Sequence, residues 1–130
     1  MITFEEYNEL LNDIFELERK FFIKTDIYRL IEQKCTKKYL NPNERQLLNA
    51  EIHHSFEKLI KTMTAACPRL TNEDVIFCCL TKSGLDNSII CRSMGIISRY
   101  TMNQRKYRIK KKMKEANCDH LFEIIFTRNL

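Results

Sequence analysis

The sequence is poor in backbone breakers: two glycines and two prolines occur in 130 residues, where average usage puts glycine alone near 7%. That scarcity excludes glycine-rich phosphate loops, runs of tight hairpin turns and collagen-like repeats, and with them a nucleotide-binding enzyme built on a glycine loop. The longest purely apolar run, Val75 to Leu80, is far shorter than the ~20 residues that span a bilayer. The start, Met1-Ile2-Thr3-Phe4-Glu5-Glu6, lacks the basic and apolar regions of a secretory signal. A cytoplasmic protein with reduced thiols and no membrane partner is therefore expected. With Leu, Ile, Lys and Glu dominant between sparse breakers, the expected fold class is all-α.

Charge is present but unevenly spread. Residues 1–69 carry 11 basic and 11 acidic side chains, whereas residues 70–130 carry 11 basic and 6 acidic, so the whole formal excess of +5 sits in the second half. Between Arg99 and Lys114 there are eight basic residues and no acidic one. A concentration of that kind is expected where a chain meets a polyanion.

Helix signals are frequent. Thr3 and Glu6 form a capping box, after which Phe4, Tyr7, Leu11 and Ile14 recur at helical spacing, widened by Leu10, Phe15 and Phe21, to about Phe22. A second helix is expected from Asp26 to Lys38 with Ile27, Leu30 and Ile31 inward. Asn41-Pro42-Asn43 opens a third, whose stripe of Leu48, Ile52, Phe56, Leu59, Ile60 and Met63 ends before Pro68. Thr71 to Asp74 caps a helix to about Lys82 that buries Val75, Ile76, Cys79 and Leu80, with Leu70 and Val75 at the hydrophobic-staple positions. Gly84 ends it, Asp86 caps a short helix to Met94, and Gly95 ends that one. Ser98 caps a long helix from Arg99 to about Glu115. Leu121, Phe122, Ile125 and Phe126 mark a terminal helix that either packs back on the domain or forms a partner interface.

The long helix is two-faced. At about 100° per residue, Met102, Ile109 and Met113 lie together, with Lys106 just beside them. Asn103, Gln104, Tyr107 and Tyr100 fall on the far side, with Lys110, Lys111 and Lys114 around them. Cations flanking amides that can reach base edges are the layout of a recognition helix. Asn103 and Gln104 can each pair with adenine, which is worth ~1–3 kcal/mol of discrimination. The plainer reading is a solvated basic face carrying ordinary surface amides, and a third is single-strand binding with Tyr100 and Tyr107 stacked on bases.

Nothing points to catalysis or a metal. No CxxC pair exists, Cys78-Cys79 and His53-His54 diverge when placed on helices, and Cys118-x-His120 stands alone. No histidine has an evident nucleophile or carboxylate partner. No cofactor, no metal and no enzymatic activity are expected, and the cysteines are expected to pack as small hydrophobes.

From Phe56 to Met113 the chain resembles the helix-turn-helix domain of the LuxR (GerE) type, shared in outline with region 4 of bacterial sigma factors. The residues that carry the likeness are Leu70-Thr71, Gly84, Asn87, Ile90, Met94, Ile97-Ser98, Thr101-Met102, Ile109 and Lys112-Met113, with Phe56-x-x-Leu59 and Pro68 upstream. Cys91 replaces the family's alanine and Met102 its valine. One extra residue lies between Met94 and Ile97, so either the turn at Gly95-Ile96 is one residue longer or Met94 is not the family's leucine position. The resemblance implies a bacterial transcriptional regulator that binds double-stranded DNA. It maps base contacts onto Asn103, Gln104 and Tyr107 and a backbone contact onto Lys112. Arg99, Arg105, Arg108, Lys110, Lys111 and Lys114 complete the candidate phosphate contacts.

The expected organisation is a helical hairpin or three-helix unit over residues 1–66, for support or dimerisation, and a helix-turn-helix domain with a short terminal helix over 67–130. Candidate partners are DNA and a second copy of the chain. The alternative reading is a helical protein-interaction module docking on RNA polymerase or another regulator.

Overall fold

A computed structural model describes residues 1–127, and every element among them is helical: α1 (Phe4–Phe22), α2 (Asp26–Lys34), α3 (Pro42–Ser55), α4 (Glu57–Ala66), α5 (Asn72–Lys82), α6 (Asn87–Met94), α7 (Arg99–Glu115) and α8 (Asp119–Phe126). The all-α class follows from the sequence as read. The termini obey local rules. Thr3, Asn41 and Thr71 each close a capping box, and Thr25, Asp86 and Ser98 each accept a backbone amide at an N-terminus. Three helix ends turn through the left-handed region, at Gly84 (φ +87°), Gly95 (φ +72°) and Asn117 (φ +57°). The chain thus places both its glycines where glycine is cheap and uses asparagine, the next most tolerant residue, at the third.

The N-terminal region holds four helices rather than a hairpin or a three-helix unit. The continuous helix expected from Pro42 to Pro68 breaks at Phe56, whose φ/ψ of −107°/37° is not helical. The cause lies in another element. Glu18 of α1 accepts the amides of Lys58 (2.8 Å) and Leu59 (2.9 Å), so a carboxylate about 40 positions away caps the start of α4, which has no capping side chain of its own. The break drives Phe56 fully inward, where it packs against Phe22 at 5.3 Å between ring centroids. Helix α2 stops at Lys34, four residues before the expected Lys38.

One contiguous core joins the halves 1–66 and 67–130, running from Leu11, Phe15 and Phe22 through Ile52, Leu59 and Met63 to Phe77, Leu80, Ile109 and Ile125. Helix α5 lies at its centre, with Val75 to Leu80 buried without interruption. Helix α8 packs back on α5 and α7 through Leu121, Phe122 and Ile125. The buried ammonium of Lys82 ties three helices together, donating to Asn12 Oδ1 of α1 (2.9 Å) and to the Ile124 carbonyl of α8 (3.2 Å). Of the stripe expected inside α1, only Leu11 and Phe15, joined by Phe22, enter the core; Phe4, Tyr7, Leu10, Ile14 and Phe21 remain exposed.

Because Glu18 supplies both hydrogen bonds at the α4 start, Glu18→Ala is expected to cost about 1–2 kcal/mol. Urea unfolding checks this, and unchanged stability would contradict the capping role.

Candidate nucleic-acid interface

Helix α7 is seated by Met102, Ile109 and Met113, all buried as the sequence predicts. Its N-terminus is set by a tight turn. Gly95 takes the left-handed conformation, and the Ile96 amide donates to the Cys91 carbonyl at 2.8 Å, closing a Schellman-type end to α6. Ile96 is buried, whereas Ile97 is 85% exposed. Ile96 thus fills the core beneath α7, and Ile97 stands outward before the Ser98 cap.

The eight cations between Arg99 and Lys114 divide into three groups. Arg105 Nη1 lies 3.0 Å from Asp74 Oδ1 and Lys112 Nζ 2.7 Å from Asp74 Oδ2. The two residues fall on one flank of α7, turned toward the first turn of α5, where Asp74 engages both. Lys106 and Lys110 lie on the opposite flank, over the rings of Phe126 (5.4 Å) and Phe122 (5.5 Å) of α8. Both remain exposed, with their ammonium groups aimed at α8 by these cation–π contacts. The remaining four, Arg99, Arg108, Lys111 and Lys114, are exposed and make no ion pair among the described residues.

Between these four stand Tyr100, Asn103, Gln104 and Tyr107, all exposed. Gln104 Nε2 donates to the Tyr100 hydroxyl at 2.8 Å. Asn103, Gln104 and Tyr107, singled out from the sequence, thus do share one surface. Tyr100, placed on the same face by the helical wheel, joins them through this hydrogen bond. Beside the start of α7, a cleft is lined by Tyr39, Asn87, Ser88, Arg92, Ile97 and Arg99, among others.

Asp74 fixes the orientation of this surface. Its side chain is 6% exposed, and Oδ2 also accepts the Thr71 amide at 3.0 Å. Burial pushes its carboxyl up, but the hydrogen bonds from Lys112 and Thr71 and the Lys112 charge outweigh that and hold it below the ordinary carboxylate value. No sequence rule names the partner of a helix-capping aspartate, which is why this pairing was missed.

Helix α6 is braced from the N-terminal region. Arg92 donates to the Cys35 carbonyl (3.1 Å), its own carbonyl accepts the Leu40 amide (3.2 Å), and Arg45 donates to the Leu40 carbonyl (2.8 Å). Among the described residues, no group of three His, Cys, Asp or Glu side chains comes together to hold a metal. All six cysteines are free thiols. Burial pushes the thiols of Cys78 and Cys79 far up and that of Cys118 to about 11, leaving them neutral. No described helix is long and apolar enough to cross a membrane.

Compared with known proteins, the chain matches no family model, and no curated protein or solved structure is significantly similar to it.

A carboxyl held below its unfolded value of about 3.9 contributes stability that is full above that pH and is lost as pH falls through the folded value. Asp74→Asn is therefore expected to cost about 2–4 kcal/mol at neutral pH and to flatten the loss of stability below about pH 4. Urea unfolding across that range checks both; a variant with the parental acid dependence would contradict this role.

Proposed function

We propose that the chain is a sequence-specific double-stranded DNA-binding protein in which α6 and α7 form a helix-turn-helix and α7 enters the major groove. The observation that carries the reading is the sorting on α7. One exposed face holds two amides and two tyrosines among four unpaired cations, while the other four cations are engaged by Asp74 or the α8 rings. A merely solvated basic helix has no need to collect its amides between its free charges. The resemblance to the LuxR/GerE-type domain supports the same reading and extends it to a cytoplasmic bacterial transcriptional regulator. The outward bulge of Ile97 accommodates the one-residue difference from that pattern without displacing the buried side of the helix.

Recognition then needs no chemistry on the DNA. Arg99, Arg108, Lys111 and Lys114 neutralise phosphates and set the register, and Asn103, Gln104 and Tyr107 face base edges. The Tyr100 hydroxyl, bonded to Gln104, orients that amide before contact.

With four phosphate contacts, log K against log salt is expected to slope at roughly −3 to −4. Asn103→Ala with Gln104→Ala is expected to lower preference for a selected duplex by about tenfold or more while nonspecific binding persists. Titrations on selected and scrambled duplexes at several salt concentrations measure both. Affinity independent of salt, or tighter binding to single strands than to duplex, would overturn the reading. Unaltered DNA binding together with loss of a protein complex would transfer the face to an acidic protein surface.

A further inference from the structure

Helix α1 carries more apolar surface than its own fold uses. Leu11, Phe15 and Phe22 enter the core, but Tyr7, Leu10, Ile14, Leu17 and Phe21 stand on the adjoining face, with Leu10, Leu17 and Phe21 at 55%, 57% and 65% exposure. Their spacing of three, four, three and four residues is the a/d repeat of a coiled-coil seam. Among the described residues nothing covers this face, and Tyr7 and Ile14 keep 42% and 36% of their surface exposed as well. A seam of five such residues exposes on the order of 500 Å² per copy, at the upper end of the apolar patches found on monomers. Two copies joined through it would bury roughly 1,000 Å², the threshold of a specific interface.

We propose that this seam pairs with the same seam of a second copy of the chain, with the two α1 helices antiparallel. The direction follows from charge. The first half of the helix is purely acidic, with Glu5, Glu6, Glu9 and Asp13, whereas in the second half Glu16 and Glu18 are engaged by Arg19 and by the start of α4, leaving Lys20 and, just past the end, Lys24 as free cations among the described residues. On the flank of the seam away from the core stand Asp13 and Lys20. Both are exposed and neither is in an ion pair among the described residues. In the antiparallel arrangement with Ile14 against Leu17 and Leu10 against Phe21 of the second copy, each Asp13 meets a Lys20, twice over by symmetry. Parallel pairing would instead set Asp13 beside Glu18 of the second copy, like against like. Glu18 is already committed to capping α4. The seam is therefore self-complementary in one direction only. This inference does not rest on DNA binding, since every residue in it lies on α1 or, for Lys24, just past its end.

Sedimentation equilibrium of the full chain from micromolar to near-millimolar concentration tests it, and a reversible monomer–dimer equilibrium is expected. Leu10→Glu with Leu17→Glu, both at exposed positions, is expected to give a monomer with unchanged helix content and thermal midpoint. Asp13→Lys alone and Lys20→Asp alone are each expected to weaken the dimer by about tenfold, and the double exchange to restore it. A monomer at every concentration would overturn the proposal. So would a dimer indifferent to the Leu10 and Leu17 changes, which would place the interface elsewhere. Tighter association of Asp13→Lys than of the parent would signal parallel pairing and overturn the antiparallel assignment.

Discussion

Asp74 is the group on which the placement of α7 depends. It sits in the first turn of α5, the most buried helix of the molecule, and its carboxylate collects the Thr71 amide, the Arg105 guanidinium and the Lys112 ammonium. Arg105 and Lys112 are seven residues apart, two turns along one flank of α7, so the clamp grips that helix over its length and resists rotation as well as separation. On the other flank the rings of Phe122 and Phe126 hold Lys110 and Lys106. A helix with eight cations and no acid across sixteen residues would repel itself if all faced one way. Here Asp74 neutralises part of the charge on one flank and the α8 rings draw two lysines to the other, so the cations left clear of both, Arg99, Arg108, Lys111 and Lys114, are those interleaved with Asn103, Gln104, Tyr100 and Tyr107.

The same economy appears in α1, which supplies structure in three directions. Leu11, Phe15 and Phe22 fill the core, Glu18 starts α4, and Asn12 receives the buried Lys82 of α5. Helix α6 is tied in turn to the link between α2 and α3 through Arg92, Cys35 and Leu40. The N-terminal residues are therefore not a separate module attached to a helical head. They share its core and hold the helix that precedes α7.

What could be read from the sequence is what is decided within one or two turns. The caps at Thr3, Asn41, Thr71, Asp86 and Ser98 and the left-handed ends at Gly84 and Gly95 involve residues no more than five apart, and each of these helix ends formed where expected. The buried line Met102, Ile109, Met113 and the outward Asn103, Gln104 and Tyr107 follow from helical periodicity alone. What escaped depends on residues far apart in the chain. The break at Phe56 exists because Glu18 caps α4 from about 40 positions away. Arg105 and Lys112 turn inward because Asp74, more than 30 positions earlier, is packed beside them. In α1 the apolar residues span an arc too wide for periodicity to say which part meets the core.

One local signal was available and decisive. A glycine in the left-handed conformation at a Schellman end is followed by an apolar residue that folds back against the preceding helix, which selects Ile96 over Ile97. The backbone bond from the Ile96 amide to Cys91 fixes that choice, and Cys91 itself lies 3.4 Å from the sulfur of Met102. The turn, the helix before it and the first buried residue of α7 are thus a single packed unit. Ile97 lies outside that unit, between the last core contact at Ile96 and the cap at Ser98, and its exposure follows: it shapes what the start of α7 shows to the outside without entering the seat of the helix.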